Sequence, residues 1–426
     1  MLIKPMVRGS ICLNAHPLGC VRETERQIEY IARRRPTYED LRGPKSVLVV
    51  GCSTGYGLAT RIGATFGFRA ATVGVSYEKE PTEGSTGTPG WYDNRAFDAA
   101  ATAEGLPSIT LNGDAFSSAM KERAIAAARE LGVKFDLVVY SLASPVRTDP
   151  ATGELYRSVI KPVGESYRGL TVDPFSRELS FAEIQGATEA EVAATVKVMG
   201  GEDWELWMNA LRDGGVLAEG AIGVAYSYIG PSLSWPIYRD GTIGAAKADL
   251  ERAAARMRGE GLRTYVSVNK ALVTRSSAVI PVIPLYISIL FKVMKERGVH
   301  EDCVAQADRL LRERLYGGGP TPLDEEGRVR LDELEMNPSV QAEVESRMRR
   351  VDAGSLAELA DVEGFRRDFL RVHGFEVEGV DYQAEVSTYG KLSSGLRSGA
   401  RGSGPRGSTT AKDAGRDQEA LSGGLV

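Results

Sequence analysis

Ser46–Gly57, SVLVVGCSTGYG, is the stretch whose reading decides the fold of this chain. Ser46–Val50 is a short β-branched apolar run, which suits a strand buried on both faces. Gly51, Gly55 and Gly57 follow at once, and then Leu58–Ala64, whose Leu, Ala and Ile suit a helix. A strand, a glycine turn and a helix start together set backbone N–H groups and the positive helix end around a diphosphate. Glycine lets a phosphate approach the backbone and permits positive φ. The spacing G-x-x-x-G-x-G is a variant of the dinucleotide fingerprint, and taken alone it fits a merely tight βα turn equally well. The candidate cradle is Gly51, Cys52, Ser53, Thr54, Gly55 and Tyr56.

Outward from this unit the same rhythm continues. Ala71–Ser76, Ser108–Leu111 and Phe135–Tyr140 read as strands, and Ala96–Glu104 and Ala119–Leu131 as helices, the latter capped by Ser117. Upstream, Ile28, Ile31 and Ala32 recur at helix spacing within Glu23–Arg35. Alternation at this spacing predicts parallel βαβ units in a doubly wound α/β sheet. Residues 146–200 are polar and rich in Gly, Pro and Thr, and predict an insertion over the sheet edge. Asp203–Leu211 then reads as a helix whose Trp204, Trp207, Met208 and Leu211 form a core stripe. Gly223–Ile229 and Thr264–Asn269 are further strands, with Ile243–Met257 a long helix between them. Helices are predicted over Ile287–Arg297, Glu301–Leu315 and Ser339–Val351, and within Ser355–His373. Ser276–Tyr286, SSAVIPVIPLY, is apolar and proline-stiffened, and fits either a wall for a hydrocarbon chain or a buried hairpin. Residues 388–426 are Gly/Ser-rich with few apolar groups, and predict a disordered tail.

Composition narrows the function classes. The 426 residues are 42% hydrophobic and 26% charged, an ordinary globular balance with ample core. Net charge is −5 and no Lys/Arg tract is interleaved with aromatics, which argues against nucleic acid as a partner. Four cysteines (Cys12, Cys20, Cys52, Cys303) and three histidines are scattered without metal-ligand spacing, so no metal is expected. Free thiols in a reducing cytoplasm are the expectation. The start, MLIKPMVRGSICLNAHP, lacks an apolar core and a small-residue cleavage site, so no secretory signal is expected. The most apolar run, Ala278–Phe291, falls short of the roughly 20 residues a bilayer span requires and holds Pro281 and Pro284. It reads as a buried segment.

The chemistry-bearing residues lie at strand ends. Glu78 comes at the end of the second strand, roughly 20 residues after the glycine turn, where a carboxylate accepts from adenosine ribose hydroxyls. It would also repel a 2′-phosphate, which favours NADH over NADPH; the alternative is a solvated acid beside Lys79. Asp114 and Ala115 follow the third strand, on the path of the adenine edge. Leu142 and Ala143 follow the fourth, on the path of the inner ribose and nicotinamide. Eight residues lie between Tyr238 and Lys247 in YRDGTIGAAKADL. Gly241 breaks the chain after Tyr238, and Ile243 onward is helix-prone, so Lys247 falls in the second helical turn. A phenol titrating near pH 10 is a poor acid at neutral pH, and a nearby ammonium is expected to lower its pKa. The lysine also suits the nicotinamide ribose, and a Tyr/Lys pair beside a nicotinamide is a reductase arrangement. A rim tyrosine and a surface lysine are the bland alternative. Tyr226 and Tyr228 share a strand face, and Tyr228, nearer the C-terminal mouth, is the candidate substrate contact. Leu272, Val273 and Thr274 follow the sixth strand and are placed to close over the carboxamide and pyrophosphate.

From residue 2 to about 387 the chain resembles the larger, single-chain bacterial trans-2-enoyl-thioester reductases. The matching stretches are IKPMVRGSICLNAHPLGC, GPKSVLVVGCSTGYGLATRI, NGDAF, YSLASP, MGGEDWELWMNAL, GVLAEG, YRDGTIGAAKADL, SSAVIPVIPLY and FRRDFLRVHGFEVEGVDYQAEV. Tyr-x8-Lys separates this group from smaller enoyl reductases, with Tyr-x6-Lys, and from short-chain dehydrogenases, with Tyr-x3-Lys. The resemblance implies a Rossmann-type doubly wound sheet with an added helical portion over the substrate, in a monomer. Residues 1–387 would form one reductase domain, with about 146–220 and 276–387 on the substrate side. The implied activity is NADH-dependent reduction of the trans-2 double bond of enoyl-ACP or enoyl-CoA, the final step of fatty-acid elongation. Acyl carrier protein would be a partner where it carries the thioester. The resemblance assigns Tyr238 as proton donor, Lys247 as a cofactor contact and Tyr228 to the substrate. It assigns Gly51–Tyr56, Tyr77, Glu78, Asp114, Ala115, Leu142, Ala143 and Leu272–Thr274 to NADH. Cys52 stands where Ala is usual, and Arg275 where Gln is common. A 3-ketoacyl or other carbonyl reductase, and a non-catalytic NAD-sensing protein, are the competing functions.

Overall fold

The computed structural model describes residues 1–9, 11–275, 280 and 282–390. An antiparallel ribbon, β1 (Val7–Arg8) against β2 (Ile11–Cys12), leads into helix α1 (Pro17–Arg34). This helix begins at Pro17 rather than Glu23, because His16 caps it: Gly19 N–H donates to His16 Nδ1 at 3.2 Å. Proline at the first position forfeits only an N–H that has no helical partner. The glycine-turn unit follows as read, with β3 (Ser46–Val50) buried on both faces and α2 (Gly55–Ile62) continuing into a wider turn through Gly67.

Next come β4 (Ala71–Ser76), α3 (Pro89–Ala103), β5 (Ser108–Asn112), α4 (Ser118–Glu130) and β6 (Phe135–Tyr140). Ser117 caps α4 as expected, its Oγ accepting from Met120 N–H at 3.2 Å. Helix α3 starts seven residues before Ala96, so Trp91 and Tyr92 lie in its first turn, again behind an N-terminal proline.

Residues 146–200 fold into two antiparallel ribbons and a helix. The ribbons are β7 (Val146–Thr148) with β8 (Leu155–Arg157) and β9 (Tyr167–Val172) with β10 (Leu179–Ile184); the helix is α5 (Glu189–Met199). The chain returns to the sheet through α6 (Glu202–Asp213), β11 (Leu217–Ser227), α7 (Thr242–Gly259) and β12 (Arg263–Val268). The remaining elements are α8 (Ile283–Glu296), α9 (Cys303–Arg309), β13 (Val329–Arg330), α10 (Pro338–Arg350), α11 (Leu356–Leu359) and α12 (Val362–Val372).

The seven-stranded sheet has the order β13-β12-β11-β6-β3-β4-β5, and every pair is parallel. The chain runs outward from β3 through β4 to β5, then crosses to the other side of β3 as β6. Strand order therefore reverses between β3 and β6, which opens a crevice at their C-terminal ends. Val50 pairs with both Val75 and Tyr140, so the turns after these three strands leave the sheet at one level. On one face α4, α6 and α7 pack against Leu48, Val50, Val73 and Val75, and Trp204, Trp207, Met208 and Leu211 are fully buried there, as their spacing predicts. The other face carries Val47 and Val49 against Leu310 and Leu311. The sheet is thus covered on both sides, a Rossmann-type doubly wound fold. Strand β13 was not foreseen, because two residues show no periodicity.

A separate apolar cluster centres on α8, which α10, α11 and α12 and the β9 ribbon surround. Ile283–Tyr286 form the first turn of α8 rather than a hairpin, whereas Ser276–Val279 and Pro281 lie outside the described residues. The predicted tail boundary shifts. Tyr92 O–H donates to Thr388 O, and Thr388 Oγ1 donates to Thr82 O at 2.7 Å, so residues 388–390 pack onto the body. Residues 391–426 lie outside the described residues. Among the described residues no helix is long and apolar enough to cross a membrane.

Candidate active site

The glycine turn is built by contacts that exclude side chains. Gly51 has φ +88°, and a Cβ there would stand 2.3 Å from Ser141 O, across the β3–β6 crevice. A Cβ on Gly57 would meet Gly51 O at 1.8 Å, so the first turn of α2 rests directly on the turn. Gly51 and Cys52 N–H both donate to Val75 O, at 2.8 and 3.0 Å. The Cys52 side chain is buried beside Asn94 Oδ1, 3.6 Å away. Thr54 occupies the cap position of α2 without a side-chain hydrogen bond, so no cap covers the first helical N–H groups. That is the arrangement a bound diphosphate requires.

Glu78 is held from two sides. Ser53 O–H donates to its Oε1 at 2.6 Å, and Asn112 clamps its backbone, accepting from Glu78 N–H and donating to Glu78 O, each at 2.8 Å. Its Oε2 is buried and accepts no hydrogen bond, with Arg275 Nη1 as an ion-pair partner at 3.8 Å. A buried acceptor without a donor is costly, and a ribose hydroxyl is the donor this oxygen lacks. The turn and Glu78 together fit NADH. Asn112 went unnoticed in the sequence, although it opens the NGDA turn. Tyr77, by contrast, is 76% exposed. Asp114 is exposed and accepts from Phe116 N–H at 2.9 Å, and Ala115 O accepts from Trp207 Nε1–H at 3.1 Å. These three sit at the ends of β4 and β5, outside the cavity that holds the reactive groups.

That cavity has a volume of about 250 Å³. It brings together Thr54, Gly55 and Tyr56 from the turn, Leu142 and Ala143 after β6, Tyr228, Tyr238 and Lys247, and Leu272 and Thr274 after β12. Gly51, Cys52, Ser53, Glu78 and Val273 do not line it. A larger cavity of about 500 Å³ shares Thr54, Gly55, Leu272, Thr274 and Arg275, adds Val273, and runs between α1, α9 and α12. Its walls are charged and lack the Tyr/Lys pair, so the chemistry belongs to the smaller one.

The Tyr238 ring stands edge-on to Tyr228, with centroids 4.8 Å apart and planes at 76°. Gly244, in the first turn of α7, has no room for a Cβ, with Arg239 O at 1.9 Å and Tyr238 O at 2.5 Å. Helix α7 thus presses on the backbone that carries Tyr238. Lys247 Nζ donates to Tyr226 O at 2.9 Å, and desolvation lowers its pKa to about 8. One expectation fails here. The pKa of Tyr238 is raised, first by desolvation and then by the charge of Glu335. Burial away from water and a nearby carboxylate both disfavour the phenolate. Tyr238 therefore keeps its proton and presents an O–H donor. Tyr226 shares a hydrogen bond of 2.5 Å with Thr60 Oγ1.

Tyr228 O–H donates to Glu335 Oε1 at 3.0 Å. Glu335 lies 107 residues further along the chain, in the turn before α10, and no local pattern marks it. Among the described residues no cluster of His, Cys, Asp or Glu is suited to a metal ion.

Three family models match this chain. Residues 2–83 match the NAD(P)H binding domain of trans-2-enoyl-CoA reductase, and residues 85–316 match the catalytic region of that enzyme. Residues 323–386 match an enoyl reductase FAD binding domain. The last segment does not fit a flavin dinucleotide here. Its strand β13 leads into α10 through Leu331–Asn337, which has no glycine and carries Asp332, Glu333 and Glu335, carboxylates that would repel a diphosphate. The NADH-dependent trans-2-enoyl-CoA reductase of Treponema denticola is 55% identical over 398 residues, covering 92% of this chain and 100% of that protein. The NADH-dependent enoyl-[acyl-carrier-protein] reductase of Opitutus terrae is 51% identical, covering 91% and 99%. The crystal structure of the Treponema denticola enzyme in complex with NAD superposes with a TM-score of 0.90 at 54% identity, over 92% of this chain and 100% of that one. With relatives this similar over nearly their whole length, and a glycine turn and Tyr/Lys pair converging on one cavity, the chain belongs to the trans-2-enoyl-CoA reductase family.

Proposed function

We propose that this chain reduces the trans-2 double bond of an enoyl thioester, carried on CoA or acyl carrier protein, with NADH as cofactor. The observation that carries this reading is Tyr238, edge-on to Tyr228, in the cavity that the glycine turn and Lys247 also line. Bound NADH supplies the hydride that the β-carbon of the enoyl group receives. Gly51–Tyr56 hold its diphosphate, Glu78 Oε2 accepts from its adenosine ribose, and the Glu78 charge disfavours a 2′-phosphate. Tyr77, Asp114 and Ala115 border the adenosine, and Leu142, Ala143 and Leu272–Thr274 border the nicotinamide end. Lys247 keeps N–H groups beyond the one given to Tyr226 O, and these serve the nicotinamide ribose.

The Tyr238 hydroxyl donates to the thioester oxygen, where negative charge gathers as the β-carbon is reduced. The Tyr238 proton passes to the resulting enolate and reaches the α-carbon, directly or by tautomerisation, which completes the saturated thioester. Ile280, Ile283 and Ile287 give the same cavity an apolar wall for the acyl chain, beside Tyr228. All four cysteines are unpaired, which suits the cytoplasm.

NADH oxidation with crotonyl-CoA and with acetoacetyl-CoA, each repeated with NADPH, tests the proposal. Turnover of crotonyl-CoA with NADH is expected. Preference for acetoacetyl-CoA would make the chain a carbonyl reductase, and binding without turnover would make it an NAD sensor.

A further inference from the structure

Beneath the tyrosine pair lies a carboxylate with no part in the reading above. Glu335 is fully buried. Its Oε1 accepts from Tyr228 O–H at 3.0 Å and from Tyr286 O–H at 2.5 Å, and its Oε2 accepts from Ala271 N–H at 2.6 Å. Gln341 Nε2, from α10, donates to Glu335 O at 2.7 Å and to the Tyr286 hydroxyl at 3.3 Å. The Glu335 side chain thereby ties the end of β11, helix α8 and the backbone that leads into Leu272–Thr274, and its main-chain carbonyl ties helix α10. A carboxylate away from water persists only where donors converge on it, and charge-assisted bonds of this kind hold their partners in a set direction.

A phenol has a single proton. Burial pushes the Glu335 carboxyl above its usual range, while the Tyr286 hydroxyl, the Lys270 charge and Ala271 N–H favour its anion. As the anion it only accepts, so the Tyr228 proton is given to it and toward the cavity Tyr228 offers lone pairs and ring surface. The two tyrosines are therefore not equivalent, although sequence alone makes both candidates for the thioester oxygen. We infer that Glu335 is the positioning residue of the tyrosine pair: by taking the Tyr228 proton it fixes that ring edge-on against Tyr238 and reserves donation to the substrate oxygen for Tyr238. The inference rests on Tyr238 as the donor. It also gives residues 323–386 a task, since Glu335 and Gln341 both come from that segment.

The test is a double-mutant cycle of Glu335→Gln and Tyr228→Phe, read as kcat with crotonyl-CoA and as the Kd for NADH. In Glu335→Gln the amide cannot accept from Ala271 N–H and from both phenols at once, so the Tyr228 hydroxyl loses its fixed direction. Glu335→Gln is expected to lower kcat by about tenfold or more, the worth of one hydrogen bond to a charged group, with a smaller change in the NADH Kd. Added to Tyr228→Phe, it is expected to change kcat by less than about twofold, because residues acting as one unit are not additive. A wild-type kcat in Glu335→Gln, or a double variant whose loss is the product of the single losses, would overturn the inference.

Should Glu335→Gln fail to fold, Tyr286→Phe decides. It removes the other phenol from Oε1 and leaves Tyr228 bound, so kcat should stay within about twofold of wild type. A loss as large as that of Tyr228→Phe would assign the effect to packing and overturn the inference. Tyr238→Phe separates the two layers. If it keeps turnover, the functional reading itself fails; if it is inactive while the cycle is additive, only the role of Glu335 falls.

Discussion

Replacing Glu78 by Gln tests the cofactor site at its most specific atom. Ser53 and Asn112 hold Glu78 by bonds that the amide can keep, since a glutamine oxygen still accepts from Ser53 O–H and the Asn112 clamp is to backbone. What changes is the second terminal atom. Oε2, buried and accepting no hydrogen bond, becomes an NH₂ that faces the ribose with donors where an acceptor is required. Losing a hydrogen bond to a charged group costs about 1.5–3 kcal/mol, which is about a 10- to 150-fold weaker Kd for NADH. NADPH should respond in the other direction. The charge that repels its 2′-phosphate is gone, and Arg275, 3.8 Å from the carboxylate in the native protein, loses its anionic partner and faces the added phosphate. Calorimetric titration of wild type and Glu78→Gln with both cofactors measures this directly. The reasoning is refuted if the NADH Kd stays at the wild-type value, or if both cofactors weaken by one common factor.

Tyr238→Phe should retain NADH affinity and lose turnover by about 10²–10⁴-fold, the usual worth of a placed proton donor; steady-state rates with crotonyl-CoA check it. Lys247 has a pKa lowered to about 8, so it is charged below that pH and neutral above it, and kcat/KM should fall as pH rises through about 8. Lys270 is lowered to about 8 as well, so the decisive profile is that of Lys247→Arg, in which the falling limb should flatten if Lys247 causes it. Behind the turn that holds Ala115, Lys121 Nζ and Asp203 Oδ1 form a buried pair at 2.8 Å, with Asp203 1% exposed. Lys121→Met leaves that carboxylate with only the Tyr140 hydroxyl as a side-chain donor and should cost about 3–5 kcal/mol, seen as a lower midpoint of urea unfolding.

Features whose determinants are sequence neighbours could be read from the residues alone. The buried run at Ser46–Val50, the turn at Gly51, the Ser117 cap and the Trp204/Trp207/Met208/Leu211 stripe each depend on spacing within one element. Helix starts at Pro17 and Pro89 were missed because capping and N-terminal proline outweigh apolar periodicity there. Strand-end logic singled out Asp114, and the family resemblance Tyr77, yet a place at the strand ends does not set where a side chain points, and both are exposed. The proton affinity of Tyr238 was misjudged for a related reason: the sequence displays a nearby lysine, whereas desolvation depends on everything packed around the phenol. Glu335 is the extreme case. Its bond to Tyr228 spans 107 residues and arises only because α8, α10 and the loop after β12 converge on one point, so pairing across that distance is a property of packing rather than of local pattern.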